Sequence, residues 1–153
     1  MEAICRLGPI GGLADEYEKA LDEFKTVLLA IDNDVFVKAD SSLEEDFQSI
    51  RNIVLHVANS GYSYANYIRR RFNNEWVKPE VDFKNTTDAV AAIGKMFAYT
   101  LSTFEDKYEL TDDDLMNTII KTSWTTYDLE AIIEHAIVHI LRHRRQIQKR
   151  LSS

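Results

Sequence analysis

The stretch HAIVHILRHRR, residues 135–145, places three of the chain's four histidines at intervals of four residues. An α-helix turns by about 100° per residue, so side chains four residues apart lie on almost the same face. The apolar residues between Leu129 and Ile147 recur at spacings of three and four, which is the pattern of one buried helix face. We therefore predict an amphipathic helix that begins near Thr125 or Thr126 and ends near Leu151.

A helical wheel separates the three histidines. With His139 at zero, the apolar stripe covers about 20° to 160°. The stripe contains Leu129, Ile132, Ile133, Ala136, Ile137, Ile140 and Ile147. His143 falls inside the stripe, at about 40°, and His139 lies on its edge. His135 falls at about −40°, toward Arg142 and Lys149, so we predict that it lies on the surface while the other two histidines point inward.

Three further segments repeat apolar residues with helical spacing, over residues 13–31, 49–72 and 86–108. The chain has only two prolines and five glycines, so few residues interrupt long helices. These features predict an all-α fold in which residues 1–153 form a single domain, a four-helix bundle.

Three stretches are less regular. The spacing of Ser42 and Glu45 fits a capping box, which predicts a turn or short helix before the second long helix. Residues 73–85, which include Pro79, are predicted to be a connection. Residues 109–124 have two interpretations, a short helix capped by Thr111 or an irregular segment.

Composition excludes several classes of function. The net charge of −7 argues against nucleic acid as a partner, because phosphate binding needs lysine and arginine. No apolar run is long enough to span a membrane, and the single cysteine, Cys5, fits a reducing compartment, so we expect a cytoplasmic protein. Two basic clusters, at residues 69–71 and 142–145, lie near predicted helix ends, where they complement the helix dipole or meet an anionic substrate or partner.

The fourth histidine, His56, lies at the border of the apolar stripe of the second helix. Polar side chains follow the same side of that helix. We predict that five of them line a pocket or support the site: Asn52, Asn59, Ser60, Ser63 and Tyr67.

Together, His56, His139 and His143 suggest a metal site. Two histidines at positions i and i+4 rise about 6 Å on one face, so both can reach one ion, and a third from a facing helix completes three nitrogen ligands. The alternative is that each is a core histidine satisfied by a hydrogen bond. The chain lacks the Glu-x-x-His pairs of di-iron bundles and the His-Glu-x-x-His of zincins, and Cys5 has no evident catalytic partner.

Two motifs resemble the DinB/YfiT-like metalloenzyme family. SIRNIVLHVA (49–58) is similar to its Ser-Val-Arg-Asp-Ile-Leu-x-His pattern, and HILRHRRQI (139–147) is similar to its closing His-x-x-x-His-Arg-Gly-Gln-Ile. The resemblance implies an up-down-down-up bundle, a homodimer and a divalent metal held by His56, His139 and His143. The chain departs from the family at Phe47-Gln48, where a tryptophan is usual, and at Arg145, where a glycine is usual.

Two functions follow from these features. In the first, the protein is a metal-dependent enzyme whose three-histidine site activates water or binds a thiol, as the family's hydrolases and thiol-dependent transferases imply. Its substrate would be a small molecule, such as a thiol or an anion, and its metal would be zinc, nickel, iron or manganese. In the second, the bundle is not an enzyme and uses a structural metal, or binds a ligand or partner.

Overall fold

Four long helices make up most of the computed structural model, which describes residues 5–153. In chain order the elements are α1 (Gly8–Leu29), α2 (Asn33–Val37), a single 3-10 turn (Glu45–Phe47), α3 (Ile50–Arg71), α4 (Thr86–Phe104), α5 (Asp112–Asn117), β1 (Ile119–Lys121), β2 (Thr126–Asp128) and α6 (Leu129–Leu151). The long helices α1, α3, α4 and α6 enclose a core of apolar side chains. The predicted all-α four-helix bundle is confirmed.

Helices α3 and α4 run in the same direction. Gly61 of α3 faces Met96 of α4, and further along both helices Arg69 donates from Nε to Thr103 Oγ1 over 2.7 Å. The contact later in α3 is therefore made with a residue later in α4, so the two helices are parallel. The long connection between them returns the chain to the end of the bundle where α3 began.

Helix α1 is antiparallel to α4. The rings of Tyr17 and Phe97 lie 5.4 Å apart, whereas Lys25, later in α1, lies beside Gly94, earlier in α4. Helix α6 packs between α1 and α3 and is antiparallel to α3, as the contacts of its histidines show below. The order of directions is therefore up-down-down-up, as the family resemblance implies.

Side-chain caps mark the starts of two of the long helices, α3 and α6. Ser49 accepts a hydrogen bond from the backbone of Asn52 over 3.0 Å at the start of α3, in the motif that the sequence singled out. Asp128 accepts from the backbone of Ala131 over 2.7 Å and starts α6. Helix α6 thus begins at Leu129, after the predicted Thr125 or Thr126, because the residues before it form a strand.

The boundaries of α1 and α4 also differ from prediction. Helix α1 begins at Gly8, earlier than residue 13, because Pro9 in its first turn already has the backbone angle of a helix, and it ends at Leu29. Helix α4 ends at Phe104 instead of residue 108. Beyond it, buried Lys107 donates to the carbonyl of Thr103 over 2.8 Å and so satisfies an acceptor at the end of the helix.

The predictions for two of the less regular stretches were right in part. Thr111 and Asp114 form a capping box at α5, which confirms the short helix. The residues after it form the β1–β2 hairpin, which the sequence analysis missed. The turn or short helix predicted before α3 is confirmed as the 3-10 turn Glu45–Phe47, but Ser42 does not cap it, since Ser42 donates to Asp40 over 2.6 Å and the turn starts after Glu44.

The predicted connection at residues 73–85 is tied to the bundle by side chains. Asn66 of α3 donates to the carbonyl of Val77 over 2.8 Å, and Arg69 donates to the carbonyl of Glu75 over 3.0 Å. These bonds hold the intervening Trp76 beside the end of α3.

Among the helices of residues 5–153, none combines the length and apolar character that crossing a membrane requires.

Two glycine substitutions test the close contact between α3 and α4. A methyl group at Gly61 would overlap the side chain of buried Met96, so Gly61→Ala should lower the free energy of unfolding by about 1–3 kcal/mol. Gly12 of α1 has open space around it, so Gly12→Ala should raise that free energy by about 0.5–1 kcal/mol. Urea unfolding measures both, and equal effects would show that α3 and α4 do not approach closely at Gly61.

Candidate metal centre

The antiparallel packing of α3 and α6 brings three histidines together. His56 lies early in α3, opposite His139 and His143, which occupy successive turns of α6. Tyr64, further along α3, packs edge-on against His135, which comes earlier in α6, with ring centroids 5.3 Å apart. The reversed order of these contacts fixes the direction of α6 and places His56 against the His139–His143 pair.

The three rings direct one nitrogen each toward a common point. His139 Nε2 lies 3.2 Å from His56 Nε2 and 3.1 Å from His143 Nε2, and ligand atoms of all three residues lie within 4.8 Å of one another. Bonds of about 2.0–2.1 Å to one ion would separate its nitrogen ligands by about 3–3.4 Å. The three histidines are therefore positioned to hold a divalent metal ion.

Hydrogen bonding alone does not satisfy this arrangement. Gln146 Oε1 lies 2.7 Å from His143 Nδ1 and accepts its proton, which leaves His143 Nε2 as an acceptor. Neutral His139 can either donate from Nε2 to His143 or accept there from His56, but it cannot do both. One of the two short nitrogen pairs would then lack a hydrogen bond, so the geometry fits ligands of one ion better than satisfied core histidines.

The surroundings keep the three imidazoles neutral. Burial, reinforced by the neighbouring histidines and Arg142, lowers the pKa of His139 to about 3. Burial also lowers the pKa of His56, against the opposing effect of Asp46, and that of His143, against the hydrogen bond to Gln146. Because only the neutral ring binds a metal, all three are in the ligand form at neutral pH.

Neighbouring residues orient the ligands. Phe47 lies against both His56 and His143, with ring centroids 5.5 and 5.9 Å away, and covers one side of the group. Asp46 Oδ2 lies 3.9 Å from His56 Nδ1, on the side of the ring away from the other histidines. The sequence analysis missed the roles of Asp46 and Gln146. Gln146 follows His143 by three residues, a spacing that places the two side chains together on a helix and could have predicted their hydrogen bond.

His135 stays outside the three-histidine group, as predicted, but it is half buried instead of lying on an open surface. The hairpin covers it, since Trp124 and Tyr127 lie 6.3 and 5.4 Å from its ring. A wheel drawn for α6 alone contains no information about this covering segment.

A polar cavity opens beside His56. Its volume is about 640 Å³, and Asp46 and Arg51 are among its lining residues. Four of the five predicted pocket residues also line it: Asn52, Asn59, Ser60 and Ser63. The fifth, Tyr67, lines a neighbouring cavity of about 310 Å³. Whether these side chains contact a substrate stays a prediction.

An up-down-down-up helical bundle with three converging histidines defines the class of protein. The family model described as the DinB family matches residues 12–151, which is nearly the whole chain. The chain therefore belongs to the DinB family. No curated protein matches it. Of the two departures from the family motifs, Arg145 is exposed on α6, and Phe47 supplies an aromatic ring against two of the histidines.

Alanine substitutions on α6 test which histidines bind the ion. His143→Ala should abolish stoichiometric metal binding, because it removes one of three converging nitrogens, whereas His135→Ala should leave binding nearly intact. Equilibrium dialysis followed by elemental analysis measures both variants. Loss of metal in His135→Ala with retention in His143→Ala would show that the ligand pair on α6 is a different one.

The stability of the chelator-treated protein should depend on histidine protonation. Below the ordinary histidine pKa of about 6.5, the unfolded chain binds protons that the folded chain, with its lowered pKa values, does not. The free energy of unfolding should therefore fall as pH is lowered from about 7 to about 5.5, by at most about 1.4 kcal/mol per pH unit for each histidine. Urea unfolding at several pH values measures the slope, and His139→Gln should make it shallower. An unchanged slope would contradict the burial of a neutral His139.

Proposed function

We propose that the protein is a metal-dependent enzyme that uses an activated water molecule or a bound thiol on a small-molecule substrate. The observation that carries this proposal is the convergence of His56, His139 and His143 beside a cavity of about 640 Å³. A divalent ion held there would lower the pKa of a coordinated water molecule or thiol and polarise a substrate oxygen. Zinc, nickel, iron and manganese all accept histidine nitrogens.

The protein's own groups have distinct tasks in this proposal. The three imidazoles are neutral ligands, so they leave the charge of the ion uncompensated and favour an anionic or thiolate ligand at a remaining position. Gln146 orients His143 through its hydrogen bond of 2.7 Å. Phe47 covers one side of the ligands, so the cavity next to His56 is the side from which a substrate would approach.

Proton transfer would fall to the carboxylates of the cavity. Glu45 and Asp46 are the acidic residues among those that line it, and both belong to the 3-10 turn before α3. Asp46 faces His56 Nδ1, on the side away from the other histidines, so it would orient that ligand. Either carboxylate would accept a proton from a substrate group in the cavity. Asn59 and Ser60 would supply hydrogen bonds to the substrate.

A cobalt-substituted protein tests for an open coordination position. Cobalt(II) should bind with one ion per chain, and its visible spectrum should gain a sulfur-to-cobalt charge-transfer band when 2-mercaptoethanol is added, because an open position can accept the thiolate. His135→Ala should give the same band, and His143→Ala should give none. Strong thermal stabilisation by cobalt without any spectral response to thiol or azide would instead favour a structural metal and a protein that is not an enzyme.

Turnover is the second part of the test. The protein purified without a histidine tag would be stripped with chelator, reloaded with each of the four metals, and assayed on ester substrates and on thiol-plus-electrophile pairs. Activity should follow metal content and disappear in His143→Ala. The homodimer implied by the family resemblance belongs to the same proposal, and sedimentation velocity measures it.

A further inference from the structure

A groove leads away from the candidate metal centre along α3. The cavity beside His56 and the neighbouring cavity of about 310 Å³ share Asn59 and Ser63, so they adjoin along α3, and we call the two together the groove. The end beside His56 carries the carboxylates of Glu45 and Asp46. The far end is lined by the cations of Arg70 and Lys78 and by Trp76. Arg51 also lines the end beside His56 but is paired with Asp82 over 2.6 Å, so that end is acidic and the far end is basic.

The three consecutive arginines at the end of α3 have different environments. Arg69 donates to Thr103 Oγ1 and to the carbonyl of Tyr99, and Arg71 donates to the carbonyl of Ile119, so both hold other segments in place. Arg70 has neither a side-chain hydrogen bond nor an ion pair with any residue in the described range 5–153. Favourable interaction with the helix dipole accounts for a cation at this position but not for its placement in the groove.

Arg70 is held by an aromatic ring. Its guanidinium carbon lies 3.9 Å from the centre of the Trp76 ring and 5.8 Å from that of Tyr67. Stacking on a ring leaves the N–H groups at the edge of the guanidinium free to pair with a carboxylate or phosphate. Trp76 is itself positioned by the hydrogen bonds from α3 to the connection on either side of it. Lys78, exposed on the same cavity, adds a second positive charge.

We propose that Arg70, stacked on Trp76 and assisted by Lys78, is an anion subsite for the carboxylate or phosphate group of an extended substrate. The inference rests on the proposed function, because the other end of that substrate would reach the three-histidine centre. Arg70 and Lys78 attract the anionic terminus to the far end of the groove, so the other end of the substrate lies toward the three-histidine centre. Asn59 and Ser63, whose side chains have no hydrogen bond to residues within 5–153, line the path between the two ends.

Helix geometry sets the length of the substrate. The rise from His56 to Arg70 is about 21 Å at 1.5 Å per residue. Both side chains lean toward the N-terminus of the helix, so the distance to be spanned stays close to this rise. A short diacid would reach one end only, whereas an extended chain with one terminal anion would reach both.

Hydroxamates of increasing chain length test this subsite on the zinc-loaded protein. A hydroxamate group binds the ion, and the other end of the chain carries a carboxylate, a phosphonate or a methyl group. Only when the chain is long enough should the charged compounds bind more tightly than the methyl compound, by about tenfold. Arg70→Gln should abolish that advantage, and Arg145→Gln, which removes the same charge from an exposed position outside the groove, should retain it.

A metal-free measurement separates this inference from the proposed function. The chain has two tryptophans, so Trp124→Phe leaves Trp76 as the single fluorescent indole beneath Arg70. Inorganic phosphate should change its emission in the chelator-treated Trp124→Phe protein, and adding Arg70→Gln should remove the change. Hydroxamates that fail to bind while phosphate still responds would overturn the metal enzyme and retain the anion subsite. Hydroxamates that bind with no effect of terminal charge, or with an effect that survives Arg70→Gln, would overturn the subsite.

Discussion

The antiparallel contact between α3 and α6 is the constraint on which the site depends. His56 lies on one helix and the other two ligands lie on the other, so three nitrogens meet only in one register. A slip of one helical turn, about 5.4 Å, would carry His56 out of reach of a common ion. The register is held by apolar packing, since Ile53 and Val57, close to His56 in α3, and Ile140, next to His139 in α6, are buried. The same contacts that stabilise the bundle therefore set the geometry of the ligands.

The three histidines lower the stability of the folded protein when no ion is bound. Burial penalises their protonation, and His139 Nε2, which lies close to the Nε2 atoms of both other histidines, cannot form a hydrogen bond to each of them. Both properties favour a bound cation, which needs neutral rings with free lone pairs at this spacing. A preference for metal over proton would thus arise from local crowding and burial, without any negatively charged ligand.

Short-range periodicity was enough to predict much of the molecule. Helix α3, most of α6 and the meeting of His56 with His139 and His143 follow from residues that repeat every three or four positions. The wheel also placed His135 outside the group. It could not predict the hairpin that covers His135, because Trp124 lies in the turn between β1 and β2 and a wheel describes only the residues of one helix. The Ser42 capping box failed for a related reason, since Asp40 two residues earlier competes for the same hydroxyl. Whether the predicted pocket residues bind a substrate depends on a molecule that the sequence does not encode.

The two ligands of α6 share one helix with Gln146, which accepts from His143 Nδ1. Two of the three histidines of the centre are consequently close in the chain, and they are neighbours wherever this helix is formed, even before α3 has docked. A chelating pair on an isolated helix can capture an ion first and acquire His56 afterwards, so metal capture and helix docking would reinforce one another during folding. The nascent chain would then select the register of its bundle partly by coordination chemistry, and an ion would act as a template for assembly as well as a resident of the finished protein.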